Sequence, residues 1–447
     1  MIDSLIINAR KAMVQIKNYD QVQTDKMVRA IGKVVFDHAE ELAKEAVAET
    51  RFGEVGPKTF KNQFFPGSLW QNLKGKQSVG ILPDTDEEGI IKVAHPVGVV
   101  GSITPVTVPN ICPCGNAMLA LKGKNAIIIS PHPKSLRSST HTVNLMRTEL
   151  EKIGAPADLI QIVPEASIEI SAEVMKKCDV VVATGGPGMV KAAYSSGKPA
   201  YGVGAGNSQV ICEDIQDYEE FSRDAVANRM YDNGTSCLCM NALIYLDALE
   251  KKIFESLRAT GNVYIAEDPE IVDKFRETLF VNGAFNKEMA GRDVQFVSKA
   301  AGVEIDKDVT VVILKVDKYG KDEILCYEKV CPVCICYSVK NIDEALHIAL
   351  ENYELQGKGH TAGVYSSNRD TIIKVGETLP VCRLLVNQPT SDGASGPHNS
   401  LNPTNSIGCG SWGNNSISEN LTYKHLLNIQ RIAMRIDAPP VDYTNWD

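Results

Sequence analysis

Between Ala126 and Ala183 the chain alternates short β-branched runs with helical periods: Ala126–Ser130, Leu159–Val163 and Asp179–Ala183 read as strands, Thr140–Ile153 and Ile168–Lys177 as helices. Strands separated by helices cannot pair as hairpins, so this order predicts a parallel sheet covered by helices, in an α/β fold. The pattern restarts further on. Asn241–Leu246, Val263–Ile265, Thr310–Leu314, Val333–Tyr337, Gly363–Ser366 and Leu384–Val386 are expected to form a second sheet, with helices over Leu249–Thr260, Pro269–Leu279 and Ile342–Glu351. Two such blocks suit a chain of 447 residues, which is long enough for two or three domains.

Other segments frame these blocks. Apolar residues from Met27 to Leu42 recur at helical spacing, predicting one amphipathic helix over about Asp25–Ala48 with His38 at the edge of the core. A stretch rich in Gly, Pro and aromatics follows through Trp70. Pro96–Ile103 is a strand-like run that leads into Thr104-Pro105-Val106-Thr107, a stiff turn that offers hydroxyls to a pocket. The glycine-rich tail Gly408–Gly413 precedes a helix-like stretch to about Met434.

Ligands of open α/β sheets lie beyond the carboxyl ends of the strands. Here those ends carry Ser130-Pro131-His132-Pro133-Lys134 and Thr184-Gly185-Gly186-Pro187-Gly188. The glycines let a phosphate approach the backbone, although Thr-Gly-Gly also serves as a plain turn, and no Walker sequence follows. A second loop, Tyr201–Asn207, alternates Gly202, Gly204 and Gly206 and contains no acid.

Tyr231-Asp232-Asn233-Gly234-Thr235-Ser236-Cys237-Leu238-Cys239 joins a helical run to a strand through an Asn-Gly break. Cys237 is the candidate nucleophile. The other cysteines, among a total of 12, read as buried reduced thiols, and no metal site is expected. Cys239 is placed to form a reversible disulfide with the nucleophile. A net charge of −9 argues against nucleic acid, no apolar run is long enough to span a membrane, and the first residues lack a signal peptide, so a cytoplasmic protein is expected.

With these motifs in view, the chain resembles the aldehyde dehydrogenase superfamily, and within it the CoA-acylating branch. The resemblance rests on Tyr231–Cys237, Gly202–Asn207, Ala192–Gly197, Glu328-Lys329-Val330-Cys331-Pro332-Val333, Gly359-His360-Thr361 and Gly408–Gly413. It implies a Rossmann-type cofactor domain (1–230, with part of an oligomerisation extension), an α/β catalytic domain (231–410) and a C-terminal segment (411–447) returning to the cofactor domain or an oligomer interface, in a homodimer or homotetramer.

The resemblance also implies a chemistry. Cys237 attacks an aldehyde, hydride passes to NAD or NADP, and coenzyme A resolves the thioester. A thiolate suits both steps, being nucleophile and leaving group. The Cys237 N–H and Thr107 are candidates to hold the oxyanion. Hydrolytic relatives carry a glutamate in the region of Gly202–Asn207; its absence here points to acyl-CoA rather than free acid. Cofactor contacts are expected from Thr104, Pro105, Ser130, His132, Pro133, Lys134, Thr184, Gly185, Gly186, Gly204, Ala205, Gly206 and Glu328, the last on the nicotinamide ribose. His132, Lys134 and Arg137 leave NAD and NADP both open.

For the substrate, Thr235-Ser236 beside the nucleophile resembles acylating sulfoacetaldehyde dehydrogenases, while the chain at large is similar to acylating succinate-semialdehyde dehydrogenases. A short anionic aldehyde is expected, met by Thr235, Ser236, His360 and Arg383, with a surface salt bridge as the other reading of Arg383. Rival readings are an uncharged aldehyde such as acetaldehyde, a hydrolytic dehydrogenase, and a nucleotide-binding regulator that has kept the fold.

Overall fold

The structure, a computed structural model, describes residues 1–83, 89–396, 399–436 and 441–446. Positions 397–398, 437–440 and 447 of the expected catalytic and C-terminal segments lie outside them.

Two parallel sheets carry the fold. The first has five strands in the spatial order Ile160–Ile162, Ala126–Pro131, Val99–Thr104, Val180–Thr184, Ala200–Val203. The chain starts in the middle, winds outward on one side, then crosses back and winds outward on the other. Val99–Thr104 and Val180–Thr184 are therefore neighbours whose connections leave in opposite directions. A crevice opens beyond their carboxyl ends, where Thr104 and Thr184 sit.

The second sheet has seven parallel strands in the order Val263–Ala266, Val311–Lys315, Val333–Val339, Met240–Leu246, Ser208–Cys212, Gly359–Tyr365, Val381–Val386. The chain enters it directly from Val203, ahead of position 230, where the sequence placed the domain boundary. Loop 204–207 thus runs from the carboxyl edge of the first sheet to the amino edge of the second. Cys237 and His360 lie at that amino edge, just before or at the start of their strands, so both sheets contribute to one crevice.

Helices depart from the sequence reading in two places. The single helix expected over Asp25–Ala48 is two, Gln21–Asp37 and Ala39–Thr50, and His38 between them is half-buried, at the edge of the core as expected, its Nδ1 2.8 Å from Glu41 Oε2. The Gly- and Pro-rich stretch is helical over Val55–Leu73 despite Pro66, with Phe65, Leu69 and Leu73 buried.

The tail corrects a third expectation. Leu427–Ala433 is a strand, not a helix, and pairs antiparallel with Ile90–Pro96 over seven residues. Leu421, Tyr423, Leu426 and Leu427 belong to the same apolar core as the first helices and the five-stranded sheet. Among the described residues no helix is long and apolar enough to cross a membrane.

Candidate active site

The loop before Cys237 is built on left-handed backbone. Asp232 and Asn233 have φ of 49° and 56°, and Gly234 follows at 66°. Asp and Asn tolerate this region better than other non-glycine residues. At Gly234 any side chain is barred, since a Cβ would come within 2.6 Å of the Cys331 carbonyl oxygen.

Tertiary contacts hold this turn. Asp232 is fully buried, and its Oδ2 accepts from Lys58 Nζ at 2.8 Å, Lys61 Nζ at 2.7 Å and Thr235 Oγ1 at 3.1 Å, while Oδ1 accepts from the Glu54 N–H at 3.1 Å. Burial alone would raise the acid's pKa, but the two ammonium groups hold it below the usual carboxylate range. Lys61 also lies 4.4 Å from the centroid of the Tyr231 ring.

Around the sulfur, His360 Nε2 is 3.2 Å from Cys237 Sγ, with the ring fully buried. Burial pushes the Cys237 thiol well above its ordinary value, the Glu328 carboxylate adds to the rise, and Arg383 opposes it. Burial and Arg383 together press the His360 pKa down to about 3, so the ring is neutral at physiological pH. Arg383 is neither a surface ion pair nor a wall of the cleft. It is 3% exposed and donates from Nη2 to the His360 and Gly359 carbonyls at 2.7 and 3.3 Å, and from Nε to Thr361 Oγ1 at 3.3 Å.

The crevice itself is a cleft of about 950 Å³. Cys237, Thr107, Thr235, Ser236 and Glu328 line it, as do Thr104, Pro105, His132, Pro133, Thr184, Gly185, Gly186, Gly204 and Ala205. The remaining expected residues lie elsewhere. Ser130 is buried beneath the cleft, its Oγ 3.0 Å from Ser171 Oγ, and Lys134 is exposed outside the lining. Gly206 packs on the backbone of Cys237, and its N–H lowers the Glu328 pKa against a larger rise from burial, leaving that acid at about 7. Thr235, expected to face a substrate, spends its hydroxyl on Asp232.

The nucleotide side of the cleft fits a dinucleotide. Thr104 Oγ1, at the carboxyl end of the central strand, is buried with no hydrogen-bond partner. The backbone at Gly186 and Gly204 is open, with no atom within 4 Å of where a Cβ would stand. An unpaired donor and bare backbone at a switch point are what a ribose or phosphate needs.

Sequence reasoning missed Lys58 and Lys61, because their partner Asp232 is 174 and 171 positions away and no local pattern marks them. It also missed Gln356, whose Oε1 accepts from the Glu328 N–H at 3.0 Å, and Ser391 and Ser395 on the cleft wall. Cys239 is buried, with Sγ 3.9 Å from the Tyr231 carbonyl and its thiol pushed up to about 11.

Residues 1–402 match the aldehyde dehydrogenase family. The chain is 46% identical over 431 residues to a succinate-semialdehyde dehydrogenase (acetylating) of Clostridium kluyveri, covering 96% of this chain and 95% of that one. It is 36% identical over 431 residues to a sulfoacetaldehyde dehydrogenase (acylating) of Bilophila wadsworthia, with 94% and 92% covered. Among solved structures, an acetylating aldehyde dehydrogenase from Geobacillus thermoglucosidasius superposes with a TM-score of 0.95 at 33% identity, over 99% of this chain and 98% of that one. With its catalytic cleft between two parallel sheets, this chain belongs to the aldehyde dehydrogenase family, among its acylating members, and is an oxidoreductase acting on aldehydes.

Proposed function

We propose that the protein converts a short anionic aldehyde, succinic semialdehyde or sulfoacetaldehyde, and coenzyme A to the acyl-CoA, reversibly, with Cys237 as the nucleophile. The observation that carries the anionic head is Lys61 on the cleft wall, one of two lysines set against the single carboxylate of Asp232. The formal excess of one positive charge beside the nucleophile loop attracts a carboxylate or sulfonate, and does so strongly where water is excluded. Ser236 supports it: its Oγ accepts from the Leu238 N–H at 3.3 Å and keeps its own hydrogen to donate.

In this reading the Cys237 thiolate adds to the aldehyde carbon, and the Cys237 N–H and Thr107 hold the oxygen while it carries charge. Thr104, Gly185, Gly186 and Glu328 would hold NAD or NADP, which would supply the hydride acceptor for this oxidation. The thioester left on Cys237 is attacked by the thiol of coenzyme A, which expels the cysteine sulfur. Among described side chains Glu328 is the one carboxylate lining the cleft, and loop 204–207 supplies none to activate water, which favours transfer to a thiol.

The antiparallel arm formed by Gly80–Ile81, Ile90–Pro96 and Leu427–Ala433 exposes Ile81 and Ile432, consistent with a homodimer or homotetramer built through it. The test is a panel of succinic semialdehyde, sulfoacetaldehyde and acetaldehyde with NAD and NADP, with and without CoA. Turnover that needs CoA and a higher kcat/KM for the anionic aldehydes are expected. Preference for acetaldehyde refutes the anionic substrate, and turnover without CoA refutes the acylating reaction.

A further inference from the structure

Resting on the assignment of Cys237 as nucleophile, the hydrogen bonds around His360 bear on a question that its 3.2 Å contact with Cys237 leaves open: which partner carries the proton. The chain of contacts begins at Arg383. A guanidinium has only donors, so Nε–H occupies a lone pair of Thr361 Oγ1 at 3.3 Å. Thr361 is fully buried, and its hydroxyl hydrogen needs an acceptor. His360 Nδ1, 3.1 Å away, is the acceptor in reach. A neutral imidazole that accepts at Nδ1 carries its hydrogen on Nε2, and Nε2 is the atom that faces the sulfur.

We propose that Arg383 and Thr361 lock His360 as a neutral Nε2–H donor to the sulfur of Cys237, so that the ring stabilises the thiolate while the thiol proton leaves to solvent through the cleft that Cys237 lines. The opposite tautomer would leave the Thr361 hydrogen unpaired in a buried site and would aim a lone pair at a sulfur that carries negative charge. Arg383 also makes an imidazolium unfavourable, in keeping with the depressed basicity of the ring. The sulfur is anionic twice in a turnover, before it adds to the aldehyde and when the CoA thiol expels it. One fixed donor serves both moments. Arg383 and Thr361 are positioning residues in this scheme.

The test uses the full-length enzyme without substrate, so it stands apart from the identity of the aldehyde. In protein labelled with 15N-histidine, the His360 resonances are assigned by their loss in His360→Gln. A bare Nδ1 and a protonated Nε2 from pH 5 to 8 are expected; the reverse tautomer, or an imidazolium in that range, overturns the proposal. The rate of iodoacetamide alkylation at Cys237, followed by peptide mass spectrometry, gives a second readout. Thr361→Val is expected to slow it about tenfold at pH 8 and to shift its pH profile upward, and Thr361→Ser to restore both. An unchanged profile in Thr361→Val, or no rescue by serine, overturns it; if the valine variant does not fold, the tautomer measurement decides alone.

Discussion

Gly206 faces the carbonyl oxygen of Cys237 so closely that a Cβ at that position would stand 1.7 Å from it. The contact ties the acid-free loop to Cys237, the proposed nucleophile, and neither backbone can yield without moving the other. Gly206→Ala is therefore expected to displace Cys237 from His360 and to lower kcat roughly a hundredfold, the scale on which misplacement of a reacting group by about 1 Å acts. Steady-state kinetics beside circular dichroism would check that activity falls while the fold persists.

Removing the charge of Asp232 should cost stability more than activity alone explains. Asn is compatible with φ near 49°, so Asp232→Asn keeps the turn but leaves Lys58 and Lys61, 4% and 6% exposed, without a counter-ion. Breaking a buried pair on one side costs about 3–5 kcal/mol. A clear fall in the urea unfolding midpoint is expected, and an unchanged midpoint would contradict the coupling.

Lys61→Met leaves the Asp232–Lys58 pair balanced and should fold. If Lys61 attracts the substrate anion, kcat/KM for succinic semialdehyde and sulfoacetaldehyde drops about tenfold, while that for acetaldehyde moves less than about threefold. Equal losses on all three aldehydes would assign Lys61 to the turn instead.

Glu328 gives a pH prediction. Burial raises its pKa from 4.5 to about 7. The folded state holds this proton more tightly than the unfolded chain does, so the acid costs nothing below pH 4.5, and its cost grows as pH rises to 7 and stays constant above. Glu328→Gln should then be more stable than the parent at pH 8, by at most roughly 3 kcal/mol, and indistinguishable at pH 4.5. Its kcat/KM should lose the rise through pH 7 that ionisation of the carboxyl gives the parent. Thermal unfolding and kinetics at the two pH values are the measurements.

Much of the fold could be read because its central strands announce themselves locally. Val180–Thr184 is a β-branched run, Val333–Val339 an apolar run with β-branched residues at Val333, Ile335 and Val339, and Pro269–Leu279 carries its own start signal in Asp268 and Pro269. Helix Val55–Leu73 was hidden by Gly56, Pro57, Pro66 and Gly67, local breakers that packing of Phe65 and Leu69 overrides. Strand Leu427–Ala433 depends on a partner more than 330 residues earlier, so no window around it could reveal the pairing. The cleft shows the same division. Cys237 and Glu328 stand in motifs, whereas Lys61 and the burial of Arg383 exist only through distant neighbours.

The return of the tail to the first apolar core has a consequence for biosynthesis. On a ribosome the five strands from Val99 to Val203 emerge early, but Tyr423, Leu426 and Leu427, which share their core, emerge only after the seven-stranded sheet. The half built on the five-stranded sheet cannot complete its core as an independent unit during translation. It waits, with one flank uncovered, until the cysteine-bearing half has also been made, so both halves of the cleft reach their final form together.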